Sequence, residues 1–319
     1  MINIINIMGI NDLNVVYVRK NEGAPEKLQL KLLGNSDIFP PPGVRGVTLL
    51  VGGEQQSLKL SLPKQVVLFN SISDPLICSF ALETLEQVIM QTGLPVINDP
   101  KNIKKTEREK LSKSIEHPKI KFPMTAGLRP YSKDELIDRI EMEFDYPVLV
   151  RRAFGEGSKA LIRLDRANEH SKLDRFAFDG MEYYYVMEFI DYKDDEGLYR
   201  KYRVNVIDGE VIPVHLWLST GWQIHTKAHI DSDLRNRSDQ EEKKYFRKNP
   251  HKEIFVELSK ELGLDFFGVD YALLDDQIII FELNAMTMIG KQEKLKEFEK
   301  KQVKKVHNKM RELINSRIY

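Results

Sequence analysis

Short apolar runs separated by turn residues fill the first third of the chain. Runs at Ile2–Met8, Val47–Val51 and Val66–Phe69 have the length and composition of buried strands. The longer stretch Pro75–Thr92 is apolar on several faces and is followed by glycine, which predicts a buried helix. Strands that alternate with a helix predict a small α/β domain over residues 1–100.

A strand, a glycine-bearing loop and a second strand are predicted over residues 146–164. The first strand ends at Arg151, and Gly155 and Gly157 follow in a short loop. Backbone N–H groups beside glycines can approach phosphate oxygens, and the arginine adds a positive charge. The loop is not a P-loop, because no Gly-Lys-Ser/Thr sequence opens a helix there. A phosphate-binding loop and a plain hairpin turn account for the pattern equally well.

Two cations share one face of a predicted hairpin over Tyr199–Ile212, whose turn is Asp208-Gly209. Lys201 and Arg203 are two positions apart on the first strand, so both project to the same side of the sheet. Aligned cations repel each other unless an anion or acidic groups lie between them. The pattern therefore indicates an anion or acids beside this face.

A second hairpin carries acids at the ends of its strands. Two apolar runs are separated by Asp275-Asp276, which predicts a tight acidic turn. Asp270 on the first strand can converge with Glu282 and Asn284 at the end of the second. Two carboxylates and an amide oxygen form a hard, all-oxygen site of the kind that Mg²⁺ prefers. The alternative is a buried hairpin whose acids merely end strands, and we adopt it for the two turn residues.

Three other segments are highly charged, namely residues 98–117, 228–250 and 291–318. A polar, basic helix is predicted over residues 98–117. Its basic side chains either form a solvated face or contact a phosphate. Residues 228–250 predict a mobile lid or a surface excursion. Amphipathic helices are predicted over His251–Leu262 and over the lysine-rich segment Lys291–Ile318.

Composition excludes several classes of protein. The 319 residues (37.1 kDa) contain 48 Lys and Arg and 48 Asp and Glu, and this balance argues against a nucleic-acid or membrane-surface binder. A chain of this length predicts two or three lobes. Cys78 is the only cysteine, which excludes a disulfide framework and a thiolate metal site. The amino terminus lacks a signal peptide pattern, and no apolar stretch has the length of a membrane span. These features predict a cytoplasmic enzyme.

The order of these motifs resembles that of the ATP-grasp superfamily, which includes glutathione synthetase and D-alanine–D-alanine ligase. The resemblance covers roughly residues 95–290 and includes Gly268-Val-Asp-Tyr271 and Glu282-Leu-Asn-Ala285. It implies mixed α/β and α+β architecture, with a preceding α/β domain over residues 1–100. A two-lobed ATP-grasp domain would follow, with a lid lobe over residues 101–185 and a carboxyl-terminal lobe over residues 186–319.

The resemblance also implies roles for individual residues, with ATP bound between the two lobes. Arg151 stands where the family commonly has a lysine, and Arg152 stands where proline is common. The implied nucleotide contacts are Arg108, Arg151, Gly155, Gly157, Ser158, Met187, Glu188, Phe189 and Lys201. The implied catalytic groups are Lys201, Arg203 and His225. The implied ligands of Mg²⁺, or of Mn²⁺ in its place, are Asp270, Glu282 and Asn284.

The implied reaction is ATP-dependent joining of a carboxylate to an amine through an acylphosphate, with release of ADP and phosphate. The alternatives are an ATP-binding regulator or scaffold without ligase activity, and an ATP-grasp kinase. The expected partners are a small-molecule or peptide carboxylate and an amine acceptor, with no nucleic acid and no membrane. A homodimer, if one forms, is expected to use the amino-terminal domain. The sequence does not identify the substrates.

Overall fold

The strands and helices follow the predicted alternation closely. The computed structural model describes residues 4–21, 24–36, 41, 43–53, 62–63, 65–153, 161–224, 232–287 and 295–318. The strands are β1 (Ile4–Gly9), β2 (Val16–Asn21), β3 (Ala24–Leu32), β4 (Gly46–Val51), β5 (Val67–Asn70), β6 (Val96–Ile97), β7 (Ile120–Lys121), β8 (Thr125–Leu128), β9 (Val148–Arg152), β10 (Leu161–Leu164), β11 (Tyr184–Glu188), β12 (Tyr199–Ile207), β13 (Glu210–Ser219), β14 (Phe266–Leu274) and β15 (Gln277–Asn284). The helices are α1 (Ser79–Thr92), α2 (Pro100–Ile103), α3 (Arg108–Ser114), α4 (Lys133–Glu143), α5 (Ser232–Lys248), α6 (Lys252–Leu262) and α7 (Glu297–Arg317), with 3₁₀ segments at Lys104–Thr106 and Ala167–Arg175.

The amino-terminal sheet is parallel and has the strand order β4-β1-β5-β6. Helix α1 buries Ala81, Leu82 and Leu85, and Gly93 ends it in the left-handed conformation that glycine adopts without strain. Strands β2 and β3 form a separate two-stranded ribbon. The predicted α/β character of this part of the chain is confirmed.

A four-stranded antiparallel sheet, β10-β9-β11-β8, forms the middle of the molecule. Helix α4 covers it with Leu136 and Ile140, which pack against Val148 and Val150. Ser132 begins this helix by accepting a hydrogen bond from the backbone of Glu135 (3.1 Å), as the capping sequence predicts.

The largest sheet carries the functional residues and has the strand order β13-β12-β14-β15-β7, which we call the central sheet. Its hairpin β12–β13 turns at Asp208 and Gly209, which both have positive φ, and β14–β15 turns at Asp275-Asp276. Both predicted hairpins are therefore confirmed. Strand β7 pairs in parallel with β15, so a segment far earlier in the chain completes this sheet.

Two charged segments differ from the sequence-based interpretation. The predicted single helix over residues 98–117 is broken, because Glu107 is extended (φ −57°, ψ 131°) and caps α3 through its side chain. The predicted lid or excursion over residues 228–250 is a helix, α5, over its described part. Helix α5 covers the edge strand β13, where Glu242 accepts a hydrogen bond from the backbone N–H of Leu216 (3.1 Å). This polar helix therefore covers the edge of the sheet, and Glu242 satisfies one of its backbone N–H groups.

Asn98 joins the amino-terminal sheet to the central sheet. It is fully buried at φ 62°, and its Nδ2 donates to the carbonyl oxygens of Phe266 (2.7 Å) and Ala285 (2.5 Å). Its Oδ1 accepts from the backbone N–H of Phe266 (2.9 Å). One side chain therefore satisfies three buried backbone groups of the hairpin that carries the predicted metal ligands.

Replacing Asn98 by alanine is expected to lower the free energy of unfolding by about 3 kcal/mol or more, because three buried polar groups would lose their partner. Urea unfolding measures the loss. Asn102→Ala is the matched control, since it removes an exposed amide bond to the carbonyl of Gly263, and it should cost about 1 kcal/mol or less. Equal costs for the two variants would contradict this account of Asn98.

No helix in the described part of the chain is long and apolar enough to cross a bilayer.

Candidate functional site

A row of side chains crosses the central sheet on one face. In the strand register Arg203 lies opposite Asp270, and Asp270 lies opposite Glu282. Asn284 lies further along β15, opposite Gly268. Directly opposed residues of antiparallel strands project to the same face with Cα atoms about 5 Å apart. The fold therefore places two of the three predicted metal ligands in register with one predicted catalytic cation, and the third lies two residues further along β15.

Asp270 is the centre of this row. It is buried, and its Oδ2 accepts hydrogen bonds from Lys201 Nζ (3.1 Å) and Arg203 Nη2 (2.8 Å), while its Oδ1 accepts one from Arg203 Nε. The sequence indicated an anion or acids beside the aligned cations Lys201 and Arg203, and Asp270 is such an acid.

Electrostatics keep this cluster charged. Burial opposes ionisation of Asp270, but the hydrogen bonds and charges of Arg203 and Lys201 outweigh it and lower the pKa of the carboxyl. Burial also opposes the charge of Arg203, yet its bond to Asp270 raises the pKa of the guanidinium. Asp270 is therefore an anion across the physiological pH range.

A cavity of about 430 Å³ lies beside the row and reaches the middle sheet. This volume is typical of small-ligand sites. Its lining includes predicted nucleotide contacts, predicted metal ligands and apolar groups: Arg108, Pro123, Leu149, Arg151, Leu161, Met187, Glu188, Phe189, Ile190, Tyr192, Lys201, Trp222, Gln223, Ile224, Asp270, Phe281 and Glu282.

Two arginines give one wall of the cavity a positive charge. Arg108 donates to the carbonyl oxygen of Phe281 (2.5 Å) and to Glu282 Oε1 (3.4 Å). For Arg151, no carboxylate of the described residues lies within ion-pair distance, and its Nε donates to the carbonyl oxygen of Arg152 (3.3 Å). Burial, followed by the nearby charge of Arg108, lowers the pKa of Arg151. A desolvated cation without a paired acid suits an anionic ligand.

The end of β11 forms the apolar side of the cavity. Phe189 lies under the guanidinium of Arg163 (3.8 Å to the ring centroid) and packs edge-on against Trp222 (5.5 Å between ring centroids). Glu188 accepts hydrogen bonds from Lys121 Nζ (2.7 Å) and from the backbone N–H of Met124 (3.2 Å). Both carboxylate oxygens of Glu188 therefore have protein partners, and its contact with a ribose stays a prediction.

The loop after β5 brings an acid towards the same arginines. Burial raises the pKa of Asp74, while its backbone bond to Leu76 and the charges of Arg108 and Arg151 oppose that rise. Asp74 is therefore close enough to Arg108 and Arg151 for their charges to act on its carboxyl group, although it is not among the described residues that line the cavity.

Some predicted positions lie outside the described residues, namely Gly155, Gly157, Ser158 and His225. Sequence reasoning missed other residues, above all Lys121, which bonds Glu188, and Tyr192, which lines the cavity. The only sequence signal for Lys121 is its place between Ile120 and Phe122 in a short apolar run. Its partner is sixty-seven positions away, so no local pattern could identify the pair.

Comparison with known proteins identifies the family. The RimK-like ATP-grasp domain matches residues 85–312. The protein belongs to this family. The RimK-like chain therefore has the ATP-grasp fold. It belongs to a family of ATP-dependent ligases, and its cofactors are ATP and Mg²⁺. No curated protein matches the sequence significantly.

Solved structures agree with this fold. D-alanine–D-alanine ligase from Bacillus anthracis matches with a TM-score of 0.52 and 13% identity, over 99% of this chain and 97% of that one. The same enzyme in complex with ATP matches with a TM-score of 0.50 and 12% identity, over 99% and 96% of the two chains. A RimK domain ATP-grasp protein from Sphaerobacter thermophilus has a TM-score of 0.49 and 12% identity, over 86% and 90% of the chains. At these identities the two matches to the D-alanine–D-alanine ligase concern the fold alone.

The residues of this RimK-like chain suit the two cofactors. Asp270, Glu282 and Asn284 offer only oxygen atoms, and the first of them is held ionised, as a hard divalent cation requires. Glu282 is about one-third exposed (37%) and lines the cavity, so it is accessible from the side of the nucleotide. The cavity supplies cations for phosphates and the aromatic surface of Phe189 for a base.

Tryptophan fluorescence is expected to report nucleotide binding, because the chain has only two tryptophans and one of them, Trp222, lines the cavity. Titration with Mg²⁺-ATP should change the emission of the wild-type protein. Trp217→Phe should keep the change, whereas Trp222→Phe should lose most of it. An unaltered response in Trp222→Phe would show that the nucleotide binds elsewhere.

Proposed function

We propose that the protein joins a carboxylate to an amine through an acylphosphate. The observation that carries this proposal is the row Arg203–Asp270–Glu282 at the edge of a cavity lined by Arg151, which has no paired carboxylate among the described residues. Such a site can hold a triphosphate at one end and leave its terminal phosphoryl group beside a row of charges. Positioning and charge neutralisation are the main contributions that a protein makes to phosphoryl transfer.

The proposed reaction has two steps. A carboxylate oxygen of the first substrate bonds to the γ-phosphorus of ATP, and the bond from that phosphorus to the bridging oxygen breaks, so ADP leaves with the electron pair. The amine nitrogen of the second substrate then bonds to the acyl carbon and loses a proton. The bond between the acyl carbon and the phosphate oxygen breaks, and inorganic phosphate leaves.

The lining of the cavity supports the proposed nucleotide contacts. Arg151 and Arg108 would bind phosphate oxygens, since both line the cavity and Arg151 has no paired acid among the described residues. Met187, Glu188 and Phe189 would lie along the adenosine. Asp270, Glu282 and Asn284 would hold Mg²⁺, which when bound neutralises charge on the phosphates.

The two cations on β12 would act on the transferring group. Arg203 is our candidate for the group beside the acylphosphate, and Lys201 would neutralise the γ-phosphoryl oxygens. Their shared bonds to Asp270 fix both side chains before the substrates bind, which lowers the cost of ordering them. His225 is a proposed substrate contact or base.

The substrates are proposed as a small-molecule or peptide carboxylate and an amine. The domain division at residues 1–100, 101–185 and 186–319 is also a proposal, as is a homodimer through the first domain.

The test is ADP and phosphate release from Mg²⁺-ATP with a panel of carboxylates, each offered with pooled amino acids and peptides as amines. Release that requires both partners, with an amide product in the mass spectrum, is the expected result. A stable phosphorylated product formed without an amine would indicate a kinase instead. ATP binding with no turnover from any pair would favour a regulator or scaffold.

A further inference from the structure

A second cluster of metal-ligating side chains lies at the edge of the central sheet. His215 on β13 is opposite Arg203 in the register, so it extends the functional row by one strand. Its Nδ1 lies 3.4 Å from Oε1 of Glu242 on α5 and 4.0 Å from Oε1 of Glu299 on α7. One nitrogen and two carboxylate oxygens, all within 4.8 Å of one another, therefore converge from three separate elements.

The imidazole of His215 has an unsatisfied polar atom. Its Nδ1 is buried and has no hydrogen-bond partner among the described residues, although the two carboxylates face it within ion-pair distance. Buried polar atoms of this kind ordinarily have a partner, which can be an ion. Nδ1 thus lies within 4.0 Å of one oxygen from each of two acids without a hydrogen bond to either.

Each of the two carboxylates is held in place by a backbone N–H group. Oε1 of Glu242 accepts from the backbone N–H of Leu216 (3.1 Å), and Oε2 of Glu299 accepts from the backbone N–H of Lys296 (2.6 Å). Oε1 of Glu299 stays directed at His215. Hydrogen bonds that orient carboxylate ligands in this way are a regular feature of metal sites.

Burial makes an uncompensated charge costly here. Glu242 is 4% exposed, and burial raises the pKa of its carboxyl even though His215 and the N–H of Leu216 favour the anion. A cation between the two acids would offset this cost. A divalent ion also suits the mixed nitrogen and oxygen donors, because imidazole favours zinc-like ions whereas Mg²⁺ prefers oxygen alone.

We propose that His215, Glu242 and Glu299 bind a divalent transition-metal ion of the Zn²⁺ class, at a site separate from the Mg²⁺ ligands. Bond lengths of about 2.0–2.2 Å would draw the three ligand atoms slightly closer than they are now. The ion joins β13, α5 and α7. His215 also stacks on Trp217 (4.7 Å between centroids, 23° between planes), which lies against Lys201 and Arg203. The ion therefore fixes the ring that supports the two cations.

Co²⁺ is the probe for this site, because it has visible absorption bands and quenches nearby tryptophan. The full chain is stripped with a chelator and titrated without nucleotide. The double variant Glu282→Gln/Asn284→Ala removes two proposed ligands of the Mg²⁺ site and leaves the hydrogen bonds of Asp270 to Lys201 and Arg203 intact. In this background we expect one equivalent of Co²⁺ to bind. When Trp222→Phe is added, so that Trp217 is the only tryptophan, Co²⁺ should quench its fluorescence.

Two variants test the ligands. Glu299→Gln, which keeps the size of the side chain, and His215→Ala should each weaken Co²⁺ binding at least about tenfold. His117→Ala is the matched control, since His117 pairs with the exposed Glu257 (3.0 Å) away from the cluster, and it should bind as the parent does. Circular dichroism checks that each variant is folded, and Zn²⁺ should raise the unfolding temperature of the parent and not that of Glu299→Gln.

Absence of stoichiometric Co²⁺ binding in the parent background would overturn the proposal, as would equal affinity in folded Glu299→Gln. The measurement uses no ATP and no substrate. A failed metal site and a failed ligase assignment can therefore be distinguished.

Discussion

Asp270→Asn is expected to lower ATP turnover about 10²–10³-fold or more and to lower the free energy of unfolding by about 3–5 kcal/mol. The activity falls because a proposed metal ligand is lost and because Lys201 and Arg203 lose the anion that positions them. The stability falls because two poorly solvated cations are left without their acid. ADP release and urea unfolding measure the two effects.

Asp275→Asn is the matched control for this change of a carboxylate to an amide. Asp275 is exposed in the turn of the same hairpin at φ 52°, a conformation that asparagine adopts readily. Both activity and stability should therefore stay near those of the wild type. Similar losses in the two variants would show that the hairpin is merely sensitive to substitution.

The pH dependence of stability provides a further check on the role of Asp270. Since its pKa is lower in the folded than in the unfolded protein, its contribution is present above the ordinary aspartate range and is lost as the pH falls through the folded pKa. The gap in unfolding free energy between wild type and Asp270→Asn should thus be full at pH 7 and shrink below about pH 4. A gap that is unchanged at low pH would mean that its origin is not the charge.

Arg151→Met is expected to weaken Mg²⁺-ATP binding about 10- to 100-fold, the range for losing a charged hydrogen bond. The wild-type guanidinium is desolvated beside the cavity and has no paired carboxylate among the described residues, so a phosphate would be its natural counter-ion. Removing it should leave protein stability nearly unchanged or raised, because no ion pair is broken. Calorimetric titration with the nucleotide measures the affinity.

Arg152→Met tests whether the expected loss of ATP affinity in Arg151→Met depends on the position of the arginine or only on the net charge of the lobe. Arg152 is the next residue on β9 and projects to the other face, where it pairs with Glu182. Its loss should leave ATP affinity within about twofold, an effect below 0.5 kcal/mol, because this arginine does not line the cavity. Equal weakening in both variants would assign the effect to the net charge of the lobe and would contradict a specific contact of Arg151.

Local chemistry made much of the fold predictable. Turn sequences such as Asp208-Gly209 fix both the position and the register of a hairpin, so the faces of Lys201, Arg203 and Asp270 could be assigned in advance. The order of these motifs along the chain also indicated the ATP-grasp fold, which the family match confirms.

What the sequence determined by itself is therefore most of the longer strands, the turns of the two predicted hairpins and the shared face of charged residues within each hairpin, because these depend on neighbours within a few positions. Tertiary structure alone decided which partners meet. Arg203 with Asp270, Lys121 with Glu188, and His215 with Glu299 are each joined across more than fifty positions. Asn98 likewise acts through hydrogen bonds to a strand that follows it by 168 positions. Such contacts depend on how the sheets and helices pack, and no local pattern encodes the three-dimensional packing that creates them.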